Sequence, residues 1–158
     1  RDFQLMRIAL FLILNFGALY VGALFMGGSP AENEWYKALN KAPWTPPGWV
    51  FGFAWTTIML LYSIYLARVF KSIPKEKLAF AIGLFVMQWC FNVFWNPIFF
   101  VHHALVLGCV FILLLFSVLV VFHVKIVNKK PIELGLILPY LLWLCVAFSL
   151  NLYVFLRN

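Results

Sequence analysis

The sequence predicts an all-α integral membrane protein, with five transmembrane helices and a long structured first loop that acts as a lid. Of its 158 residues, 65% are hydrophobic and only 11% are charged, whereas a soluble domain is about 45–50% apolar and about 25% charged. The mean hydropathy is +0.98. This composition excludes a soluble enzyme, a disordered chain and a disulfide scaffold, and it predicts one membrane domain over residues 1–158.

The charged residues are confined to short segments that separate long apolar runs. A bilayer core about 30 Å thick requires about 20 apolar residues per helix, so the charge-free run of 47 residues between Lys77 and Lys125 is long enough for two helices. Pro97–His103 interrupts that run and predicts the break between them. Membrane strands would alternate in polarity, and this sequence does not. We therefore expect helices near residues 5–26, 48–69, 78–100, 104–126 and 133–156.

The basic residues predict which ends of the helices share a face of the membrane. Nine of the 12 lysines and arginines fall in the N-terminal segment and in the second and fourth loops, and three fall in the first loop and at the C-terminal end. The positive-inside rule then places the N-terminus in the cytoplasm. Membrane topology and lipid headgroups account for the net charge of +7, so we expect no nucleic-acid partner.

The first loop, residues 27–47, is the longest predicted connection. Four of the seven tryptophans fall within the 21 residues from Trp35 to Trp55. The prolines predict a stiff extended strap over Pro43–Pro47, and Glu34–Asn40 can form one or two helical turns. Such a loop is either an aromatic belt at the membrane interface or a lid over a cavity. The concentration of tryptophans on one face favours the lid.

Three predicted helices carry polar and aromatic side chains at helical spacing. Side-chain amides in hydrocarbon require partners, so these stripes should face the interior of the bundle. Taken singly, each residue could serve packing alone, but three stripes beside an aromatic loop favour an aromatic-walled ligand pocket. The stripes comprise Phe51, Trp55, Ile58 and Tyr62 in the second helix, Gln88, Asn92 and Trp95 in the third, and Tyr140, Trp143, Ala147 and Asn151 in the fifth.

Several chemistries find no support in the sequence. No Asp, Glu, Lys or Arg falls in the middle of a predicted span, which argues against a pump, a voltage sensor or a proton-coupled carrier. The three cysteines are interpreted as small buried hydrophobic residues. His102 and His103 are interpreted as capping or interface residues rather than haem ligands, and we expect no metal site.

The motifs resemble those of the translocator protein family (TspO/MBR), which includes the bacterial tryptophan-rich sensory proteins and the peripheral benzodiazepine receptor. The similarity covers all five helices in order. Ala42 stands where the family usually has proline. The motifs are Trp35-Tyr36 followed by Lys41 to Pro47 and Trp55, then Asn92-Val-Phe-Trp95-Asn-Pro-Ile-Phe-Phe100, and finally Pro139-Tyr140-Leu-Leu-Trp143 with Ala147 and Asn151.

The resemblance implies a five-helix fold, often dimeric, whose pocket beneath the first loop binds porphyrins, sterols and synthetic benzodiazepine-type ligands. The resemblance implies that protoporphyrin and haem bind as ligands, and that the protein requires no cofactor. Leu150, Tyr153 and Arg157 fit a proposed cholesterol pattern. The matching motifs imply that eight residues line the pocket or form the lid: Tyr36, Trp44, Trp55, Asn92, Trp95, Trp143, Ala147 and Asn151. Tyr140 lies on the same face of the fifth helix as Trp143, Ala147 and Asn151.

Three functions stay open at this point. The first is a receptor or transporter-like protein that binds tetrapyrroles without catalysis, in a sensory, scavenging or transport role. The second is light-dependent degradation of porphyrin, with Trp55 and Trp143 as the candidate reacting residues. The third is a sterol carrier or a structural membrane partner. We expect a homodimer in contact with membrane lipids, in a bacterial membrane or, if the source is eukaryotic, in the mitochondrial outer membrane.

Overall fold

The computed structural model describes residues 2–158, and five of its helices are long and apolar enough to cross a membrane. The predicted fold class and all five spans are confirmed, with boundaries within one helical turn of those expected. Arg1, counted above with the N-terminal segment, lies outside the described residues. The helices are α1 (Asp2–Met26), α2 (Glu34–Lys37), α3 (Gly48–Lys71), α4 (Lys75–Phe100), α5 (Leu105–Phe122) and α6 (Pro131–Arg157), with a 3-10 turn at Pro30–Glu32 and a π-helical turn at His123–Val127.

The five long helices form a closed ring in the order α1, α3, α6, α5, α4. Large apolar side chains such as Ile13, Trp49 and Leu142 are exposed on the outside of the ring, as expected for a surface that faces lipid. The interior contains buried aromatic residues, among them Tyr62 and Tyr140. Because α4 and α6 lie on either side of this interior, side chains that join them also shape the space beneath the first loop.

The amides predicted to face the interior do so. Gln88, Asn92 and Asn151 are 2%, 7% and 1% exposed. Hydrogen bonds inside the ring replace the water that the hydrocarbon lacks: Asn15 donates to the Ser63 hydroxyl at 2.9 Å, and the Tyr140 hydroxyl donates to Gln88 at 3.0 Å. The prediction that all the cysteines are buried was wrong for Cys145, which is exposed, while Cys109 is buried and Cys90 half-buried.

Helix α4 continues past Pro97 to Phe100, the end predicted for this span, so the predicted interruption over Pro97–His103 opens only after Phe100. Proline has no N–H, so the Val93 carbonyl loses its usual helical donor. The side-chain amide of Asn96 supplies one instead, donating to the carbonyl oxygens of Asn92 at 3.1 Å and Val93 at 3.2 Å. The helix therefore ends only at Phe100, and the chain reverses through His103, whose φ is +53°.

Gly22 allows α1 to approach α4 beside Asn96. A Cβ at Gly22 would lie 2.5 Å from Asn96 Nδ2, so Gly22→Ala must displace that side chain from the carbonyls it serves. We expect the free energy of unfolding to fall by about 1–3 kcal/mol, measured by thermal unfolding in detergent. Gly17→Ala on the same helix meets nothing within 4 Å and should leave stability unchanged or slightly raised. If Gly22→Ala and Gly17→Ala lower the free energy of unfolding equally, the contact between Gly22 and Asn96 does not explain the effect.

The first loop is ordered by local hydrogen bonds. The expected helical turn is confirmed as α2, whose N-cap Asn33 accepts a hydrogen bond from the Tyr36 amide at 2.9 Å. The extended strap predicted for Pro43–Pro47 was wrong in its first half. The Thr45 amide donates to the Ala42 carbonyl at 3.0 Å, which closes a turn with Pro43 at the position where its fixed φ is favourable.

Candidate ligand site beneath the first loop

One side of the first loop is attached to the corner between α4 and α5. The Asn33 side chain donates to the Phe100 carbonyl at 3.3 Å. The ring of Trp35 stacks on His103 with 3.9 Å between the centroids and 7° between the planes. His103 therefore serves to seat the loop, in agreement with its interpretation as a structural residue.

The other side of the loop is attached to the end of α6. Trp44 Nε1 donates to the Ser149 hydroxyl at 3.0 Å, and its ring lies edge-on to Tyr153 at 5.5 Å. The Asn40 amide donates to Asn158 Oδ1 at 3.0 Å. The loop thus lies across the open end of the ring, as a lid does, whereas Trp49 is 73% exposed and resembles an interfacial belt residue.

Tyr36 occupies the inner side of the lid. Its half-buried ring packs edge-on against Phe100 at 5.3 Å, and Lys41 Nζ lies 4.6 Å from its centroid. Burial raises the pKa of the Tyr36 phenol above its ordinary value of 10.0. The hydroxyl therefore stays protonated at neutral pH and can donate a hydrogen bond.

Trp95 and Asn151 form a junction between three helices. Trp95 Nε1 donates to Asn151 Oδ1 at 3.1 Å, and Asn151 Nδ2 donates to the Leu105 carbonyl at 3.0 Å and contacts Cys109 Sγ at 3.2 Å. Gly108 makes room for this junction, because a Cβ there would lie 2.6 Å from Asn151 Oδ1. Both ends of the Asn151 amide are engaged within the protein, so this side chain holds Trp95 in place.

Trp55 and Trp143 pack against the buried core of the bundle. Trp55 lies edge-on to Tyr140 with 5.9 Å between centroids, and Trp143 lies edge-on to Phe51 at 5.5 Å. Both tryptophans are half-buried. Tyr140 is only 1% exposed, so its ring packs against Trp55 within the buried core.

Asn92 differs from the other interior amides. It is 7% exposed, yet among residues 3–158 its side-chain amide has no hydrogen-bond partner, whereas Gln88 and Asn151 both have one. Within those residues no fully buried side-chain nitrogen or oxygen lacks a partner, so the Asn92 amide keeps some accessible surface. This amide is therefore available to a polar group that enters the interior. Ala147 is also half-buried and lies between Trp143 and Asn151 on the same face of α6.

The residues of the proposed cholesterol pattern lie beneath the lid at the end of α6. Leu150 is half-buried, Tyr153 contacts Trp44, and the Arg157 guanidinium carbon is 5.7 Å from the Tyr153 ring centroid. These contacts give Tyr153 and Arg157 a place in seating the loop. A sterol-binding role stays a prediction.

Sequence reasoning missed part of this arrangement. Gly108 was not singled out, although an isolated glycine inside an apolar helix is a signal of close approach. Phe99 and Phe100 were quoted within a motif but given no role, and they link Trp95 to Tyr36: the Trp95 ring stacks on Phe99 at 5.0 Å.

Comparison with known proteins identifies relatives of the whole bundle. The model of the TspO/MBR family matches residues 9–157. Protein CrtK of Rhodobacter capsulatus is 33% identical and aligns 87% of this chain with 83% of its own. The tryptophan-rich sensory protein of Cereibacter sphaeroides is 33% identical, over 85% and 87% of the two chains. The human translocator protein is 33% identical, over 88% and 82%. The chain is a multi-pass integral membrane protein and belongs to the TspO/MBR family.

Proposed function

We propose that this receptor-like membrane protein binds flat tetrapyrroles, such as protoporphyrin or haem, in the interior beneath the first loop. The observation that carries the proposal is the amide of Asn92, which has no hydrogen-bond partner among residues 3–158 although the residue is only 7% exposed. It lies one turn from Trp95 on the same helix face. An apolar pocket with a few convergent polar groups is typical of small-molecule sites. The names of two relatives, translocator protein and tryptophan-rich sensory protein, agree with a ligand-binding role.

The side chains suit the chemistry of a macrocycle. The rings of Trp55, Trp95 and Trp143 can stack on an aromatic ligand or contact it edge-on, and the amide of Asn92 can hydrogen-bond to a polar edge. The carboxylates of a porphyrin require cations at the mouth. Lys41 is better suited than Lys37, because Lys37 is paired with Glu34 at 3.2 Å while Lys41 has no carboxylate partner among the described residues.

Replacement of Asn92 by leucine tests the proposal directly. We expect the affinity for protoporphyrin to fall about tenfold, the equivalent of one net hydrogen bond of about 1–1.5 kcal/mol, while thermal stability is kept. The measurement is titration of the detergent-solubilised protein in the dark, followed by the porphyrin absorbance. The triple change of Trp55, Trp95 and Trp143 to phenylalanine should weaken binding further, whereas Trp49→Phe should have no effect. Unchanged affinity in the leucine and triple variants would refute this pocket.

The same titration distinguishes the other two functions. Under illumination, loss of the porphyrin bands that requires the protein would indicate degradation, and it should then stop in the Trp55→Phe/Trp143→Phe variant. If protoporphyrin does not bind, sterol binding becomes the next measurement. In that case sensitivity to Tyr153→Ser would favour the cholesterol pattern.

A further inference from the structure

A separate cavity of about 220 Å³ lies at the end of the bundle opposite the first loop. It is smaller than the roughly 300–1,000 Å³ of pockets for drug-sized ligands, so it suits a headgroup-sized anion. None of its residues belongs to the site described above. Its lining contains both polar and apolar residues. The polar ones are Arg68, Ser72, Lys77, Lys130 and Glu133, and the apolar ones are Val69, Ile73, Pro74, Ile126 and Val127.

The one acidic side chain in the cavity is already neutralised. The Glu133 carboxylate accepts a hydrogen bond from Arg68 Nε at 2.9 Å. Within the described part of the chain, the two terminal nitrogens of the Arg68 guanidinium have no hydrogen-bond partner. Glu133 therefore fixes the orientation of Arg68 and leaves its terminal N–H groups available to an oxyanion.

Two lysines add positive charge that no carboxylate balances. Lys77 Nζ donates to the Lys125 carbonyl at 2.9 Å. Neither Lys77 nor Lys130 has an ion-pair partner among residues 3–158. The cavity thus contains three cationic side chains and one paired carboxylate, for a net charge of about +2 at neutral pH.

Two long helices begin at the same cavity. Pro74 is the N-cap of α4 and Lys130 is the N-cap of α6, and neither end has a side-chain capping hydrogen bond. The first N–H groups of a helix and its dipole favour a negative group at this position. The helix ends reinforce a preference that the three basic side chains already establish.

We propose that this cavity binds a phosphate group, held by Arg68, Lys77 and Lys130. A basic pocket between transmembrane helices suits an anionic lipid headgroup, and the wall of Val69, Ile73 and Ile126 can accept the adjoining acyl region. A free phosphate offers the same oxyanion without the apolar part. The proposal is independent of the site beneath the first loop.

The test compares two double variants of equal charge. Lys77→Gln/Lys130→Gln removes two cations from the cavity. Lys75→Gln/Lys129→Gln removes two exposed cations from the same face outside it. Each basic residue at an anionic surface contributes about fivefold in affinity. We expect the cavity variant to bind phosphatidylglycerol about 10- to 30-fold more weakly than the parent chain, by native mass spectrometry in detergent, and the control variant to remain within about threefold.

Two further ligands show whether the bound phosphate belongs to a lipid headgroup or to free phosphate. Phosphatidylcholine carries no net charge and should not compete with phosphatidylglycerol. Inorganic phosphate is titrated in parallel, with thermal unfolding as the readout. Saturable stabilisation by inorganic phosphate alone, lost in the cavity variant, would assign the site to a free anion. Equal weakening in both double variants, or equal binding of the two lipids, would overturn the proposal, since either result indicates a diffuse basic surface.

Discussion

Replacement of Arg68 by methionine is expected to lower the free energy of unfolding by about 2 kcal/mol. The side chain of Glu133 is only 10% exposed, and it would lose the guanidinium that pairs with it at 2.9 Å. The Arg68 side chain is 41% exposed, so the pair is half-buried. Removal of Arg68 leaves the carboxylate with a hydrogen bond from its own backbone N–H and the nearby charge of Lys130. Thermal unfolding of the detergent-solubilised protein, followed by circular dichroism, measures the change.

The second member of the pair provides the control. Arg68→Met/Glu133→Leu removes both charges, so most of the lost stability should return. Lys71→Met, in the last turn of the same helix α3 and without an ion-pair partner among the described residues, should change stability by less than about 0.5 kcal/mol. A double variant as unstable as the single one would show that Arg68 acts through packing rather than through Glu133.

Gly108→Ala is expected to weaken the binding of protoporphyrin tenfold or more. The new Cβ would lie 2.6 Å from Asn151 Oδ1 and 3.4 Å from Trp95 Nε1, so the junction that holds Trp95 must separate. Stability should also fall by about 1–3 kcal/mol, the usual cost of overpacking. Porphyrin titration measures the binding effect, and the near-ultraviolet circular dichroism of the ligand-free protein reports the displacement of Trp95.

Gly83→Ala on α4 is the matched control, because a Cβ there meets nothing within 4 Å. It should bind protoporphyrin like the parent chain. If Gly108→Ala disturbs the Trp95 signal but leaves affinity intact, then Trp95 is not part of the binding site. If neither the affinity nor the near-ultraviolet signal changes in Gly108→Ala, then the packing of Gly108 against Asn151 and Trp95 tolerates an added methyl group.

The membrane fold was predictable because hydrocarbon imposes simple rules on sequence. Charge-free runs indicated the number of helices, and the charged residues between them, together with the interruption at Pro97–His103, indicated the boundaries to within about a turn. The spacing of Gln88, Asn92 and Asn151 correctly identified interior faces, since amides cannot be left in lipid. Asn92 could be predicted to face inward, but its lack of a partner depends on the positions of the other helices.

The lateral arrangement of the helices could not be predicted in the same way. Helix α5 is apolar on nearly every side, so its sequence does not indicate which side faces Asn151. The continuation of α4 past Pro97 depends on a single side-chain amide, that of Asn96, which replaces the missing backbone donor. The stacking of Trp35 on His103 joins two loops that are far apart in sequence, and no local pattern encodes such a contact.

The attachment of the first loop has a consequence for motion on slow timescales. Its contacts with His103, Ser149 and Asn158 are made at the rim, and of the loop residues only Ala42 belongs to the buried apolar set. Segments with few buried apolar contacts open at a small fraction of the global unfolding free energy. Amide hydrogen exchange in the loop should therefore be governed by local opening events, while the interiors of α3 and α4 exchange only when the bundle itself comes apart.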